Sequence, residues 1–408
     1  MKKVLVSNIG MLATPKGSAA KCGKAQGEIE IVKDAWVLIE DGMIAKVGTG
    51  KCECADGAEI IDAEGRLVTP GLVDAHTHLI FGGWRQNELG LKLHGATYLE
   101  IQNAGGGIQS TTNATRGATE EELRDKAAKA LDEMMGFGTT TVEAKSGYGL
   151  ATEHELKALQ VIRDLDEQHP MDVVATFMGA HLVPAEYKND RAEYIRLVCE
   201  EMMPAVKEQG IAKFCDVFCE ADTFTTEESR QILKAGLKYG LRPKIHADEI
   251  EAIGGSVLAG EIGAISSEHL IVCPPEGIAS MAKSGVIACL LPATSFNLGA
   301  VFAPARDMVN AGVPVAMATD FNPGSCPCLN MQFVINLGCL KYRLTPEEVL
   351  TAVTLNAAAA IDMADKVGSV EVGKQGDLVI WDAPDLDYIC YRFGSNLVET
   401  VIKKGVVF

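Results

Sequence analysis

Two histidines sit two residues apart inside an apolar run. Residues 72–81, containing Val73-Asp74-Ala75-His76-Thr77-His78-Leu79, follow Pro70-Gly71 and precede Gly82-Gly83. An apolar run bounded in this way reads as a buried strand. Side chains alternate along a strand, so His76 and His78 point the same way, roughly 6–7 Å apart. Imidazoles so placed can share one metal ion, or can be two hydrogen-bonded core histidines. The choice depends on whether the rest of the chain brings further ligands to the same place.

The surrounding pattern says where that place is. Residues 1–69 read as β structure, with short strands at 28–32, 35–39 and 44–47 and an Asp41-Gly42 turn. From Pro70 onward, apolar strands alternate with helical stretches, the signature of parallel βαβ units. Strands are expected at 72–81, 138–145, 171–179, 213–218, 241–245, 264–267, 286–291 and 313–319. Helices are expected at 119–135, 152–168, 191–209, 226–239, 254–262, 274–283, 303–311, 329–340 and 345–356. Thr119 with Glu122 forms a capping box, and Thr345-Pro346 opens the last helix. Eight such strands predict an α/β fold, a TIM-type (β/α)8 barrel over residues 70–363. Residues 1–69 and 364–408 are expected to form one small β-sandwich domain from both chain ends. The segment 82–117 reads as a long functional loop or lid. Its Gly105-Gly106-Gly107 lacks the Lys-Ser/Thr and preceding strand of a phosphate cradle.

Bulk properties exclude some partners. A formal net charge of −18 argues against nucleic acid and anionic membranes. Twelve cysteines in no regular framework predict a reducing, cytoplasmic setting. Cys52-x-Cys54 and Cys326-x-Cys328 lack metal-site spacing and read as packed small residues. The first residues read as a strand rather than a signal peptide, and no apolar stretch is long enough to span a bilayer.

Barrel active sites lie at the C-terminal ends of the strands. His181, His246 and His269 follow strands three, five and six of the expected barrel, and Asp320 follows strand eight. His94, His154 and His169 fall elsewhere and read as surface residues. His76, His78, His246 and Asp320 make a candidate ligand set, three neutral imidazoles and a carboxylate, suited to Zn²⁺ or Fe²⁺. Glu249, three residues after His246, is the candidate proton carrier beside a metal-activated water, with Asp248 the rival. His269 is placed to polarise a substrate carbonyl. Arg85, Tyr148 and the segment Asn322-Pro323-Gly324-Ser325 are candidate substrate contacts, Arg85 as a carboxylate clamp.

These motifs carry a resemblance. Pro70-Gly71-Leu72-Val73-Asp74-Ala75-His76-Thr77-His78, with a β domain from both ends, resembles the metal-dependent amidohydrolase superfamily. Phe81-Gly82-Gly83-Trp84-Arg85, Asn103-Ala104-Gly105-Gly106-Gly107-Ile108 and Glu143-Ala144-Lys145-Ser146-Gly147-Tyr148-Gly149-Leu150 narrow the likeness to the imidazolonepropionase family. So do Ala180-His181-Leu182-Val183-Pro184, His246-Ala247-Asp248-Glu249 and Thr319-Asp320-Phe321-Asn322-Pro323-Gly324-Ser325. The resemblance implies hydrolysis of 4-imidazolone-5-propanoate to N-formimidoyl-L-glutamate in histidine degradation. It implies one divalent ion on His76, His78, His246 and Asp320. It also implies substrate or product contacts from Arg85, Tyr148, His181, Glu249, Asn322, Gly324 and Ser325, catalytic roles for Glu249 and His269, and a homodimer. Lys145 is not a ligand in this pattern. Ala75, Leu182 and the stretch Cys219-Glu220-Ala221-Asp222-Thr223-Phe224 depart from it without removing a ligand. Two alternatives stand beside this reading: a hydrolase or deaminase of another cyclic amide or heterocycle, and a non-catalytic scaffold barrel. Arg85 discriminates the first and bound metal the second.

Overall fold

The computed structural model describes residues 2–53, 55–95 and 106–408; Cys54 and the motif residues Asn103, Ala104 and Gly105 lie outside them. The chain begins as a sheet: β1 (Lys3–Thr14), β2 (Glu30–Glu40), β3 (Met43–Thr49), β4 (Glu59–Asp62) and β5 (Leu67–Pro70). It then enters a barrel of β6 (Leu72–Asp74), β7 (Thr139–Lys145), β8 (Asp172–Ala180), β9 (Phe214–Cys219), β10 (Arg242–Ala247), β11 (Ser266–His269), β12 (Ile287–Leu290) and β13 (Val315–Met317). It returns as β14 (Leu378–Trp381), β15 (Val398–Lys403) and β16 (Val406–Val407). β14 pairs antiparallel with β5, so both chain ends share one sheet, in the order β16-β15-β14-β5-β1-β2-β3 with β4 beside β1. The strands are continuously bonded in one sheet, which contributes to an apolar core that includes Val6, Val37, Ile44, Leu378 and Ile402. Gly71 links sheet to barrel; a Cβ there would lie 2.2 Å from Thr140 Oγ1, so the crossing requires glycine.

The barrel strands run parallel in chain order from β6 to β13. Closure happens just above their ends. Asp320 N donates to the His76 carbonyl (3.0 Å) and His78 N to the Phe321 carbonyl (2.9 Å). This corrects the expectation of one strand over 72–81: β6 ends at Asp74, and the His-x-His segment is held extended by its pairing with residues 320–321 instead.

Other differences have local causes. The strand expected as two pieces at 28–39 is one, β2, kinked where Asp34 takes φ 51°. The segment 82–117 is not plain loop but carries helices Glu88–Leu93 and Gly107–Gly117. The second of these has the sequence GIQSTTNATRG, of low helix propensity. Tertiary bonds supply what propensity does not: Glu88 Oε1 accepts from Gly107 N (2.6 Å), and Lys157 Nζ donates to the carbonyls of Thr115, Arg116 and Ala118. The helix expected at 345–356 breaks into Pro346–Ala352 and Leu355–Ala360, because the Val353 carbonyl turns to accept from Val73 N of β6. Short helices at Pro292–Leu298 and Leu386–Tyr391 were not expected. The capping boxes at Thr119 and Thr345 are present. No helix among the described residues is long and apolar enough to cross a membrane.

Candidate metal and active site

The site is assembled at the C-terminal mouth of the barrel by backbone that L-residues seldom adopt. Asp248, His269 and Asp320 have φ of 51°, 66° and 57°, and Leu150 has 51°. Such conformations persist where surrounding contacts over-determine them and gather at functional sites.

His76, His78, His246 and Asp320 converge. His78 Nε2 lies 3.2 Å from His246 Nε2, and Asp320 Oδ1 lies 3.5 Å from His76 Nε2 and 3.6 Å from His78 Nε2. Donors each about 2.1 Å from a tetrahedral ion stand roughly 3.4 Å apart, so these spacings fit one cation between them. Both ring nitrogens of His76 and Nδ1 of His78 are buried without a hydrogen-bond partner among the described residues. Buried polar atoms are normally paired, so these orphans point to a ligand in the cavity. His76 and His78 are held well below the usual imidazole pKa, by burial first, then for His76 by Lys145, His246, His78 and His269, and for His78 by His181, His246 and Lys145. Metal ligation requires such neutral imidazoles. Asp320 rises to about 6 through burial, opposed by the Thr294 hydroxyl (2.6 Å from Oδ2) and His246. His269 also falls within ligand range of His76 and Asp320.

Behind the ligands the barrel interior is charged. His246 Nδ1 meets Asp216 Oδ1 at 3.1 Å, leaving Nε2 for the cavity. Asp216 pairs with Lys145 Nζ (2.8 Å), which also pairs with Glu143 (2.7 Å). Burial opposes the Asp216 charge, but His246 and Lys145 outweigh it and keep the pKa well below the ordinary carboxylate value. Lys145 is fully buried in this pairing, so its amine is committed to the two carboxylates. A second candidate group, Asp216, His246 and Glu268, is already served by the protein. Glu268 accepts from Ser266 and the Ile245 amide and pairs with Lys244.

Glu249 reaches the same mouth, 3.5 Å from His269 Nε2. Its side chain is 12% exposed. Burial, then the charges of Asp320 and Glu220, raise its pKa to about 8. A carboxyl poised near neutrality can both take and return a proton. Asp248, the rival, is fully buried and also raised by burial. His181 stacks on His78 with ring centres 4.8 Å apart and is lowered to about 3, chiefly by burial. The Tyr148 ring centre lies 5.8 Å from that of His78 and 5.1 Å from that of His181.

Arg85 lies across the Asp320 loop. Its Nε and Nη1 are buried without hydrogen-bond partners among the described residues, although Glu88 is 3.7 Å away. Its plane rests on Gly324, where a Cβ would fall 1.2 Å from Nη2. Gly324 is thus the platform for the guanidinium. Asn322 braces the loop: its Oδ1 accepts from the amides of Gly324 (2.9 Å) and Ser325 (2.8 Å), and its Nδ2 donates to the Asp320 carbonyl and Ser325 Oγ. These side-chain bonds lie within the loop and set its shape.

Sequence reasoning missed Thr294, Asp216, Glu143, Glu155 and Glu220. The signal was present for two of them: charged residues inside the apolar strands β7 and β9 are rarely buried without a role.

Residues 67–408 match the amidohydrolase family. The imidazolonepropionase of Alkaliphilus metalliredigens is 53% identical over 99% of this chain and 97% of its own length. That of Brevibacillus brevis is 51% identical over 100% and 98%. Among solved structures, atrazine chlorohydrolase TrzN from Arthrobacter aurescens, complexed with zinc, superposes with a TM-score of 0.73 at 18% identity, covering 99% of this chain and 94% of that one. An adenosine deaminase from Xanthomonas campestris with bound zinc gives 0.71 at 20%, covering 100% and 92%. The structural neighbours share the fold, and the close relatives supply the finer placement: this chain belongs to the amidohydrolase family, in its imidazolonepropionase branch.

Proposed function

We propose that this chain hydrolyses 4-imidazolone-5-propanoate to N-formimidoyl-L-glutamate, a step of histidine degradation, with one divalent ion, Zn²⁺ or Fe²⁺, on His76, His78, His246 and Asp320. The observation that carries it is the pairing of that donor set at one barrel mouth with a buried Arg85 whose Nε and Nη1 have no hydrogen-bond partner among the described residues, in a chain 53% identical to an imidazolonepropionase. A divalent ion so held is a Lewis acid that brings the pKa of a water toward neutrality. Glu249 receives the proton of the attacking water and returns it to the ring nitrogen as the carbonyl carbon–nitrogen bond breaks. Neutral His269 faces the carbonyl oxygen as charge develops there. Arg85 binds the propionate through its guanidinium, whose Nε and Nη1 have no hydrogen-bond partner among the described residues, and Tyr148 and His181 line the site beside His78. The commitment of Lys145 to Glu143 and Asp216 supports a single ion, because no amine is left to carry a bridging group between two.

Turnover of freshly made imidazolone propionate, followed by its ultraviolet absorbance, is the direct test, with guanine and hydantoins as controls. Activity on the controls alone would overturn the assignment. Arg85→Met is expected to raise KM for the anionic substrate about tenfold to a hundredfold, the loss of a buried charge-assisted pair. Gly324→Ala is expected to reproduce that defect by displacing the guanidinium. An unchanged KM in both variants would remove Arg85 from the carboxylate site.

A further inference from the structure

Two loops bring non-metal groups to the mouth, and each closes on a buried glutamate of its own. The first follows β7. Glu155, in the first turn of helix Thr152–Gln168, is fully buried. Its Oε1 accepts from Gly149 N (2.8 Å) and Leu150 N (2.7 Å), and its Oε2 from Gly147 N (3.0 Å). That loop carries Tyr148, and the Gly147 carbonyl accepts from His181 Nδ1 (2.9 Å). Gly147 and Leu150 hold φ of 93° and 51°, so the loop rests on this anchor rather than on backbone preference. Gly149 is pressed close; a Cβ would lie 2.6 Å from the Glu155 amide nitrogen.

The second loop follows β10. Glu220, 2% exposed just beyond β9, accepts from Glu249 N (3.2 Å), Ile250 N (2.9 Å) and Glu251 N (3.0 Å), and from Ala221 N (3.0 Å). It thereby fixes where Glu249 enters the site. A carboxylate satisfied by several amides of one loop makes charge-assisted bonds that hold its shape.

We infer that Glu155 and Glu220 are two separate positioning residues, Glu155 setting substrate binding through Tyr148 and His181, and Glu220 setting proton transfer through Glu249. This rests on the function proposed above. Neither glutamate touches the substrate. Glutamine at either place keeps the shape but turns one acceptor into a donor facing amide donors.

The test is a crossed comparison of Glu155→Gln and Glu220→Gln in the metal-loaded enzyme. Glu155→Gln is expected to raise KM about tenfold or more with kcat within about threefold. Glu220→Gln is expected to lower kcat about tenfold or more, altering the acidic limb of its pH profile, with KM within about threefold. Metal content is expected to stay at the wild-type value in both. Gly149→Ala attacks the first anchor from the loop side and should share the KM defect; Glu220→Asp keeps the charge and should recover part of kcat. Amide hydrogen exchange gives a readout independent of any substrate. Residues 147–150 should exchange faster only in Glu155→Gln, and residues 249–251 only in Glu220→Gln. Equal changes of kcat and KM in both variants, or a lower Tm with neither kinetics nor local exchange altered, would overturn the inference. Wild-type failure on imidazolone propionate, with the exchange pattern as expected, would instead refute the substrate assignment and leave the anchors standing.

Discussion

Replacing His246 by alanine is expected to remove the metal and, with it, turnover. His246 Nε2 is 3.2 Å from His78 Nε2, and Asp216 holds its other nitrogen, so alanine removes a donor already oriented toward the other ligands. Losing one of four donors weakens the ion's hold, and losing the ion removes several kcal/mol of charge stabilisation, a rate decrease of about 10³-fold or more. Metal analysis of the purified variant, beside its kcat/KM, checks both. A variant that kept its ion and its rate would place the metal elsewhere.

Glu249→Gln is expected to separate metal from proton transfer. The ion should stay, because Glu249 lies outside the four-donor set. The rate should fall about 10²- to 10⁴-fold, the range for a lost general base. The pH dependence has a definite sign. Glu249 works as a base when ionised, so wild-type activity should rise with pH through its pKa. Burial and the charges of Asp320 and Glu220 place that pKa at about 8 without the ion. A bound cation favours the carboxylate, so the limb in the loaded enzyme should lie below that value, and it should vanish in Glu249→Gln. The same shift is a stability statement. The folded pKa is raised from 4.5 to about 8, so the metal-free protein should lose stability as pH rises across that window. The glutamine variant should escape this loss. A Tm difference between metal-free wild type and variant that does not grow from pH 5 to 8 would contradict the burial of this charge.

Local sequence was enough for the architecture because the barrel signal repeats. Each apolar strand is followed by a helix or loop, and the histidines and Asp320 fall at strand ends, where barrel chemistry sits. The capping boxes at Thr119 and Thr345 were equally legible, since a cap depends on residues three apart. The helix Gly107–Gly117 was not, because its Thr, Asn and Gly residues disfavour a helix and tertiary contacts, those of Glu88 and Lys157 among them, hold it.

The sequence by itself determined which donor types reach one barrel rim. His-x-His, His246, Asp320 and Glu249 stand out as candidate ligands and a candidate proton carrier from residue type and strand phase. Only the tertiary structure decided how these groups are held. The His-x-His segment is kept extended by pairing with residues 320–321 rather than by belonging to a strand. Asp216 and Lys145 orient His246, Glu155 and Glu220 anchor the loops, and Gly324 bears Arg85. Apart from the short-range Glu155 anchor, these contacts join residues from different segments of the chain, and no local pattern records a pairing that exists only after the barrel has closed.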